Sequence, residues 1–200
     1  MIRPAAFPVI STARLELRAS TPADVDQIFA IFSDPEVTRY WSTPPMRSRD
    51  EAAAMVERAA THLAAGSGMS WVVCRREDAR VMGTCSLFHF HEQNDRAEIG
   101  YGLGRTYWGN GHMSEALTAL IEYAFAGMDL RRLEADTDPR NAASIRLLER
   151  LGFSREGLLR ERWVVAGVVS DSLLLGLLRS EWMARAAKGG TDRTPENRPG

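Results

Sequence analysis

Two short patterns in the second half of the chain combine residue types that could bind and transform a substrate. The first is WGNGHMS, residues 108–114, where two glycines flank one asparagine immediately before an amphipathic helix. A helix N-terminus leaves backbone N–H groups unpaired and carries partial positive charge, and glycines leave those donors uncovered. The arrangement predicts a phosphate or diphosphate site, with a plain tight turn as the alternative. The predicted donors are the backbone amides of Gly109, Asn110, Gly111, His112, Met113 and Ser114.

The second pattern is Asn141-Ala-Ala-Ser144, at the start of a predicted helix. This spacing places Asn141 and Ser144 on one helical face. Asparagine is also a favoured N-cap, and a serine in the first turn can be an ordinary polar residue. The pattern by itself therefore leaves a capping role and a functional role open.

Known phosphate-binding motifs narrow the interpretation of the glycine pair. A P-loop requires the string Gly-x-x-x-x-Gly-Lys-Ser/Thr, which does not occur in the chain. A dinucleotide-binding fingerprint fits better, because GNGHMS reads Gly-x-Gly-x-x-Ser and Glu134 follows at about the distance of a ribose ligand. That fold needs repeated strand–helix–strand units, whereas only one further strand–helix unit follows Ser114 before a hairpin. The dinucleotide interpretation is therefore disfavoured.

The elements that must position these patterns follow from hydrophobic periodicity and turn residues. The predicted order is strand, two helices, three strands, helix, strand, helix and a closing hairpin turned at Ala166-Gly167. This order indicates one domain with a mixed sheet and helices on both faces. Ser48 and Glu51 predict a capping box at the second helix. The predicted strands span residues 14–20, 70–77, 80–91, 96–103 and 131–138, the hairpin 159–178, and the helices 21–32, 48–66, 114–125 and 141–153.

Composition limits the class of protein. The chain has 200 residues, of which 44% are hydrophobic and 26% charged, as in an ordinary globular domain. A formal net charge of -1 offers no general surface for nucleic acid or an acidic membrane. No apolar run approaches the ~20 residues of a membrane-spanning helix, and the N-terminus lacks a signal-peptide core, so we expect a cytoplasmic protein. Residues 1–182 are predicted to form a single domain, and residues 183–200 a disordered polar tail.

Taken together, the two patterns resemble a known superfamily. WGNGHMSEAL and DPRNAASIRLLERLGFSREGLLRERW are similar to the GNAT superfamily of acetyl-CoA-dependent N-acetyltransferases. The opening TARLELRASTPADVDQIFAIFSDPEVTRYW resembles its branch of ribosomal-protein N-terminal (alanine or serine) acetyltransferases, and the resemblance spans Thr12 to Trp182. It implies an α/β (α+β) fold with a mixed, mostly antiparallel central sheet that splays open between helices on both faces. It also implies acetyl-CoA as co-substrate and no metal.

The resemblance implies cofactor contacts for particular residues. In this superfamily the strand before the loop pairs with pantetheine through its backbone, and the matching residues here are Tyr101, Gly102 and Leu103. Trp108 occupies the first position of the family's loop pattern, and Gly111 its key glycine. Met113 replaces the final small residue, which leaves its amide available.

The reacting groups are implied by the same resemblance. Asn141 would position CoA, and Ser144 would donate a hydrogen bond to the departing thiolate. Glu98, on the strand beside the pantetheine, is the first candidate for a general base, and Glu161 is the second. Some relatives carry a carboxylate slightly further along the closing hairpin, where Trp163 stands in this chain.

The predicted reaction is direct attack of a neutral amine on the thioester. An α-amine with a pKa near 8 is about one-tenth neutral at pH 7, whereas lysine is about 0.04% neutral and needs a base. We therefore predict acetyl transfer to a primary amine, with the N-terminal α-amine of a protein as the first choice. The alternatives are a small-molecule amine of the polyamine, aminoglycoside or amino-acid type, and a non-catalytic CoA-binding module. The resemblance implies that the loop 40–45 borders the acceptor site, and a hydrophobic lid over the core is the alternative. We predict a monomer or a homodimer.

Overall fold

Eight strands form one sheet in the computed structural model of the chain, which describes residues 1, 2, 4 and 6–190. The strands are β1 (Ile10–Ser11), β2 (Leu15–Ala19), β3 (Gly68–Arg75), β4 (Val81–His91), β5 (Arg96–Leu103), β6 (Arg132–Thr137), β7 (Ser154–Val165) and β8 (Val168–Leu178). The helices are α1 (Val25–Phe32), α2 (Pro35–Thr38), α3 (Arg49–Ala64), α4 (His112–Glu122), α5 (Ala142–Leu151) and α6 (Arg179–Gly190). Each predicted element has a counterpart here, and β1, α2 and α6 are additional. Within the described residues, no helix combines the length and apolar character that crossing a bilayer requires.

The order of strands across the sheet is β1-β2-β3-β4-β5-β6-β8-β7. Neighbouring strands are antiparallel except β5 and β6, which run parallel. This parallel pairing is short, with Arg96–Glu98 opposite Arg132–Glu134. Because the two strands continue past it, to Leu103 and Thr137, the sheet splays open between them. The mixed, mostly antiparallel, splayed sheet implied by the resemblance is confirmed.

Two hydrophobic layers cover the two faces of the sheet. On one face, Leu117 of α4 is fully buried in the same cluster as Ala97 of β5. On the other face, Phe32 of α1 and Val56 of α3 pack with Val72 of β3. Since side chains alternate along a strand, odd-numbered residues of β5 face the α4/α5 layer and even-numbered residues face the α1–α3 layer. This alternation decides which side of the splay each candidate residue can reach.

Helix α6 continues past the predicted domain end at residue 182. The Trp182 indole N–H donates to Glu122 Oε2 of α4 at 2.8 Å, which ties the helix to the domain. Residues 183–190, which the sequence pattern assigns to a polar tail, are therefore part of α6. The rest of that predicted tail, residues 191–200, lies outside the described residues. The polar composition of residues 183–190 did not predict this part of α6, because the helix is held by contacts with residues far away in sequence, such as Glu122.

The starts of α3 and α4 differ from their predictions. Glu51 Oε2 accepts from the Arg47 backbone N–H at 3.2 Å, and Ser48 makes no side-chain capping bond, so the predicted capping box at α3 is not formed. Helix α4 begins at His112 rather than at Ser114, because Gly111 forms its N-cap in a left-handed conformation. The glycine pair therefore lies directly at the helix N-terminus.

Candidate active site

The splay between β5 and β6 opens a cleft in the sheet. The cleft has a volume of about 770 Å³, and its lining includes Glu98 and Tyr101 of β5, Asp136 of β6 and Ser144 of α5. The β7–β8 hairpin contributes Trp163 to the same lining. The two residues predicted to be catalytic, Ser144 and Glu98, are thus brought to one cavity from separate elements.

The glycine loop lies where β5 passes into α4. Gly109 and Gly111 have φ values of +77° and +74°, a left-handed conformation that other residues seldom adopt. The Glu115 N–H donates to the Gly111 carbonyl oxygen at 3.0 Å, so the preceding amides of the first turn have no acceptor within the helix. A Cβ added at Gly109 would meet no atom within 4 Å. The residues present therefore fit a diphosphate at the helix N-terminus, where the amides of the first turn have no partner within the helix.

Side-chain hydrogen bonds fix the conformation of this loop. Trp108 Nε1 donates to the Leu103 carbonyl oxygen at 2.7 Å, and Asn110 Nδ2 donates to the Trp108 carbonyl oxygen at 3.0 Å. Arg14 Nη1 donates to the Asn110 carbonyl oxygen at 3.1 Å, and Arg14 Nε donates to Glu115 Oε2 at 2.6 Å. Nothing in the strand pattern around Arg14 indicates this long-range contact. Arg14 is a residue of the site that the sequence does not reveal.

Backbone alternation decides which groups of β5 face the splay. The Gly104 N–H donates to a carbonyl oxygen of β4 at 2.8 Å, so even-numbered residues of β5 direct their backbone groups toward β4. The residues that direct theirs toward the splay are Ile99, Tyr101 and Leu103. The predicted pantetheine partners Tyr101 and Leu103 therefore face the splay, whereas Gly102 faces β4. Ile99 directs its backbone groups toward the splay, as the prediction expected of Gly102.

Gly102 instead shapes the wall of the cleft on the α1–α3 side. A Cβ at Gly102 would lie 2.5 Å from Trp41 Cζ2 and 2.9 Å from Phe32 Cε1, so glycine lets both rings approach the strand. These two rings are tilted against each other, with centroids 4.8 Å apart. The loop of Tyr40 to Pro45 lines the cleft along this wall. The aromatic and proline residues of the predicted acceptor loop thus lie beside the splay.

Ser144 lies in the first turn of α5, on the α4/α5 side. Asn141 Oδ1 accepts from the Ser144 backbone N–H at 3.1 Å, which is the geometry of an N-cap. The Ser144 hydroxyl lies 2.6 Å from the Tyr101 hydroxyl and so joins α5 to β5 across the splay. Burial raises the pKa of Tyr101 to about 12, and its hydrogen bond with Ser144 opposes the shift. The amide oxygen of Asn141 thus has a capping function, while the Ser144 hydroxyl lines the cleft.

Glu98 has a partner that the sequence does not predict. Its Oε1 lies 3.0 Å from His89 Nδ1, and both residues line the cleft. His89 has a φ of +50° in an irregular part of β4, so its orientation does not follow from the strand pattern. Glu161, the second base candidate, is exposed on β7 and is not part of the cleft lining in the described chain. The geometry favours Glu98 over Glu161.

The cleft holds a further carboxylate that sequence reasoning did not single out. Asp136 of β6 lines it and accepts a hydrogen bond from the hydroxyl of Ser172, which is fully buried. Among the residues that the structure describes, Asp136 takes part in no ion pair. Across the same described residues, no group of three or more His, Cys, Asp or Glu could hold a metal ion. The polar groups that line this cleft include carboxylates, hydroxyls, an imidazole and the guanidinium groups of Arg39 and Arg140.

Comparison with known proteins gives a family for this arrangement. The acetyltransferase (GNAT) domain family matches residues 14–154. The uncharacterised N-acetyltransferase p20 of Bacillus licheniformis is 38% identical over 171 residues, which cover 86% of this chain and 96% of p20. The residues that match the family, 14–154, thus include the glycine loop, the splayed strands and the first turn of α5.

Solved structures share the fold. A Vibrio cholerae protein assigned as a ribosomal-protein-serine acetyltransferase has a TM-score of 0.74 and 26% identity, over 85% of this chain and 97% of that protein. The spermidine N-acetyltransferase of Vibrio cholerae, solved in complex with CoA and spermine, has a TM-score of 0.76 and 22% identity, over 86% and 99%. The chain belongs to the GNAT family and is an acetyl-CoA-dependent N-acetyltransferase.

Proposed function

We propose that this N-acetyltransferase acetylates the N-terminal α-amine of a protein. The observation that carries the proposal is the cleft of about 770 Å³ beside the splay, whose α1–α3 side is lined by the 40–45 loop. An α-amine is about one-tenth neutral at pH 7, so it needs less help from a base than lysine does. The similarity to the Vibrio cholerae protein assigned to ribosomal-protein-serine acetylation supports the same acceptor class. The proposal includes a cytoplasmic location and a monomeric or homodimeric state.

Acetyl-CoA binds through two surfaces in this proposal. The amides of Gly109 to Ser114 donate to its diphosphate at the start of α4. The splay-facing backbone groups of Ile99 and Tyr101, together with the backbone N–H of Leu103, pair with its pantetheine arm. The bond of 2.7 Å between the Trp108 indole and the Leu103 carbonyl oxygen ties the two surfaces together. Trp108 thus acts on the cofactor through the loop that it holds.

The reaction is a direct acyl transfer. The neutral amine nitrogen attacks the thioester carbonyl carbon, the carbon–sulfur bond breaks, and its electron pair leaves with the sulfur. Glu98, oriented by His89, accepts the proton that the amine nitrogen loses. From the α4/α5 side, Ser144 donates a hydrogen bond to the sulfur as negative charge develops there. Glu98 on the α1–α3 side therefore removes the proton from the amine, and Ser144 on the α4/α5 side stabilises the departing sulfur.

Replacing Glu98 with glutamine tests the base. We expect kcat/KM to fall about a hundredfold for an acceptor of lysine type and less than about tenfold for a peptide α-amine, because the base matters most for the more protonated amine. Release of CoA from acetyl-CoA with each acceptor gives both values. Glu161→Gln on the exposed strand β7 is the matched control and should change neither. Equal losses for the two amines in Glu98→Gln would count against this role.

A small cationic amine is the second candidate acceptor. Asp136 favours it, since this half-buried carboxylate lines the cleft and accepts from the neutral Ser172 hydroxyl. A diamine or polyamine acetylated beside Glu98 could place a second ammonium group at Asp136. The spermidine N-acetyltransferase of Vibrio cholerae shares the fold, and its 22% identity supports no more than that.

A panel of acceptors separates the candidates. The protein and acetyl-CoA are mixed in turn with an unblocked peptide beginning with alanine or serine, with its N-blocked form carrying an internal lysine, and with spermidine. Free CoA thiol is measured in each mixture. The proposal predicts the fastest release with the unblocked peptide. Release with spermidine alone would favour the small amine, and binding of acetyl-CoA without release for any acceptor would favour a non-catalytic module.

A further inference from the structure

A side-chain hydrogen bond spans the splay, between the hydroxyls of Tyr101 and Ser144, which are 2.6 Å apart. We propose that Tyr101 is a positioning residue whose phenol orients the Ser144 hydroxyl toward the departing sulfur. This role rests on the acetyl transfer proposed for the same site. It belongs to the side chain of Tyr101 and is separate from the backbone pairing that the sequence predicts.

The elements of the fold hold both hydroxyls in place. Tyr101 is an odd-numbered residue of β5, so its side chain faces the α4/α5 layer and packs against the core cluster there. Ser144 is anchored by its own backbone N–H, which donates to Asn141 Oδ1 at 3.1 Å. The Tyr101 oxygen is also 3.4 Å from the Ser144 carbonyl oxygen, a longer and weaker contact than that with the hydroxyl. The hydroxyl–hydroxyl bond therefore dominates the interaction of these two residues.

A serine hydroxyl in a helix can rotate between partners. Without another partner it tends to donate back to a carbonyl oxygen of the preceding turn, which would direct its proton away from the cleft. When the Tyr101 O–H donates to Ser144 Oγ, the serine oxygen is engaged as an acceptor and its own proton can point into the cleft. Successive hydrogen bonds in such a chain polarise and strengthen one another. Tyr101 therefore both orients and strengthens the donor.

Tyr101 acts as a hydrogen-bond donor and not as the source of the proton. Burial raises the pKa of Tyr101 to about 12, whereas a thiol has a pKa of about 8.5. Full transfer of the phenol proton to the thiolate is therefore unfavourable. The sulfur leaves with the electron pair of the broken bond as a hydrogen-bonded thiolate, and it gains its proton from water afterwards.

A double-mutant cycle tests this role. Tyr101→Phe keeps the ring and removes the hydroxyl, and we expect kcat to fall about fivefold with an unchanged KM for acetyl-CoA. Ser144→Ala should lower kcat further, and the double variant should match Ser144→Ala alone, because Tyr101 acts through Ser144. Rates are measured as CoA release with the unblocked peptide or spermidine, whichever the wild type acetylates faster. Tyr123→Phe, which changes another partly buried phenol, is the control and should keep the wild-type kcat.

Two outcomes would overturn the role of Tyr101 and leave the proposed function standing. One is an unchanged kcat for Tyr101→Phe. The other is a double variant in which the two losses multiply, because multiplied losses mean that Tyr101 acts independently of Ser144. A wild-type protein that releases no CoA with either acceptor would instead overturn the proposed function, and the role of Tyr101 with it.

Discussion

Replacing Gly111 with valine is expected to weaken acetyl-CoA binding by about a hundredfold. Gly111 has a φ of +74°, where a β-branched residue is strained. Space is not the obstacle, since the nearest heavy atom to an added Cβ is Arg14 Nη2 at 3.7 Å. The strain would instead move the loop, turning the amides at the start of α4 away from the diphosphate. Calorimetric titration of the variant with acetyl-CoA measures the loss.

Gly66→Val is the matched control for this prediction. Gly66 also has a positive φ, +64°, but it follows α3 and lies outside the glycine loop. Valine at Gly66 should lower the melting temperature and leave the affinity for acetyl-CoA unchanged, since the loop amides are untouched. Wild-type affinity in Gly111→Val would show that the loop does not hold the diphosphate.

Ser144→Ala is expected to lower kcat by about tenfold to a hundredfold, the usual cost of losing one hydrogen bond to a charged group. The KM for acetyl-CoA should not change, because the charge on the sulfur develops only in the transition state. Alanine leaves the start of α5 intact, since the cap at Asn141 accepts from the backbone of residue 144. Steady-state rates of CoA release separate the two parameters.

Ser154→Ala, at the exposed start of β7, is the control for the serine substitution. It removes a hydroxyl of the same kind outside the cleft, so both kcat and KM should match the wild type. If Ser144→Ala turned over acetyl-CoA at the wild-type rate, Ser144 would have no part in the mechanism. A raised KM with unchanged kcat would assign Ser144 to ground-state binding instead.

Local patterns in the sequence were sufficient to predict strand β5 and the glycine loop that follows it. The predicted β5 agrees with the structure at both ends, Arg96 and Leu103. The glycines that follow mark the turn, because the left-handed φ values at Gly109 and Gly111 suit glycine. The start of α4 at His112 was not predicted, since the pattern does not show that Gly111 itself forms the cap.

No local pattern in the sequence predicts the contacts that cross the site. The splay depends on where the β5–β6 pairing stops, and the family resemblance implied it before the register confirmed it. Arg14 and Asn110 are 96 residues apart in sequence, and Tyr101 and Ser144 are 43 apart. Both contacts arise from strand register and helix packing, which periodicity does not encode.

At Gly102, the role that the family resemblance implies differs from the role that the strand geometry indicates. The resemblance implies a backbone role, whereas the alternation of β5 directs the backbone of Gly102 to β4. Its missing side chain has a different use, because Trp41 and Phe32 occupy the space that a Cβ would need. The sequence marked Gly102 as a residue of the site, but its role could be assigned only from the register of β5 against β4.

The central claim is that the N-terminus of α4 holds the diphosphate of acetyl-CoA. The most direct test is calorimetric titration of the wild-type protein with S-acetyl-4′-phosphopantetheine and S-acetylpantetheine, which differ in a single phosphate. The phosphorylated compound is expected to bind at least about tenfold more tightly, since its phosphate reaches the amides of the glycine loop. Equal affinities for the two compounds would contradict the claim.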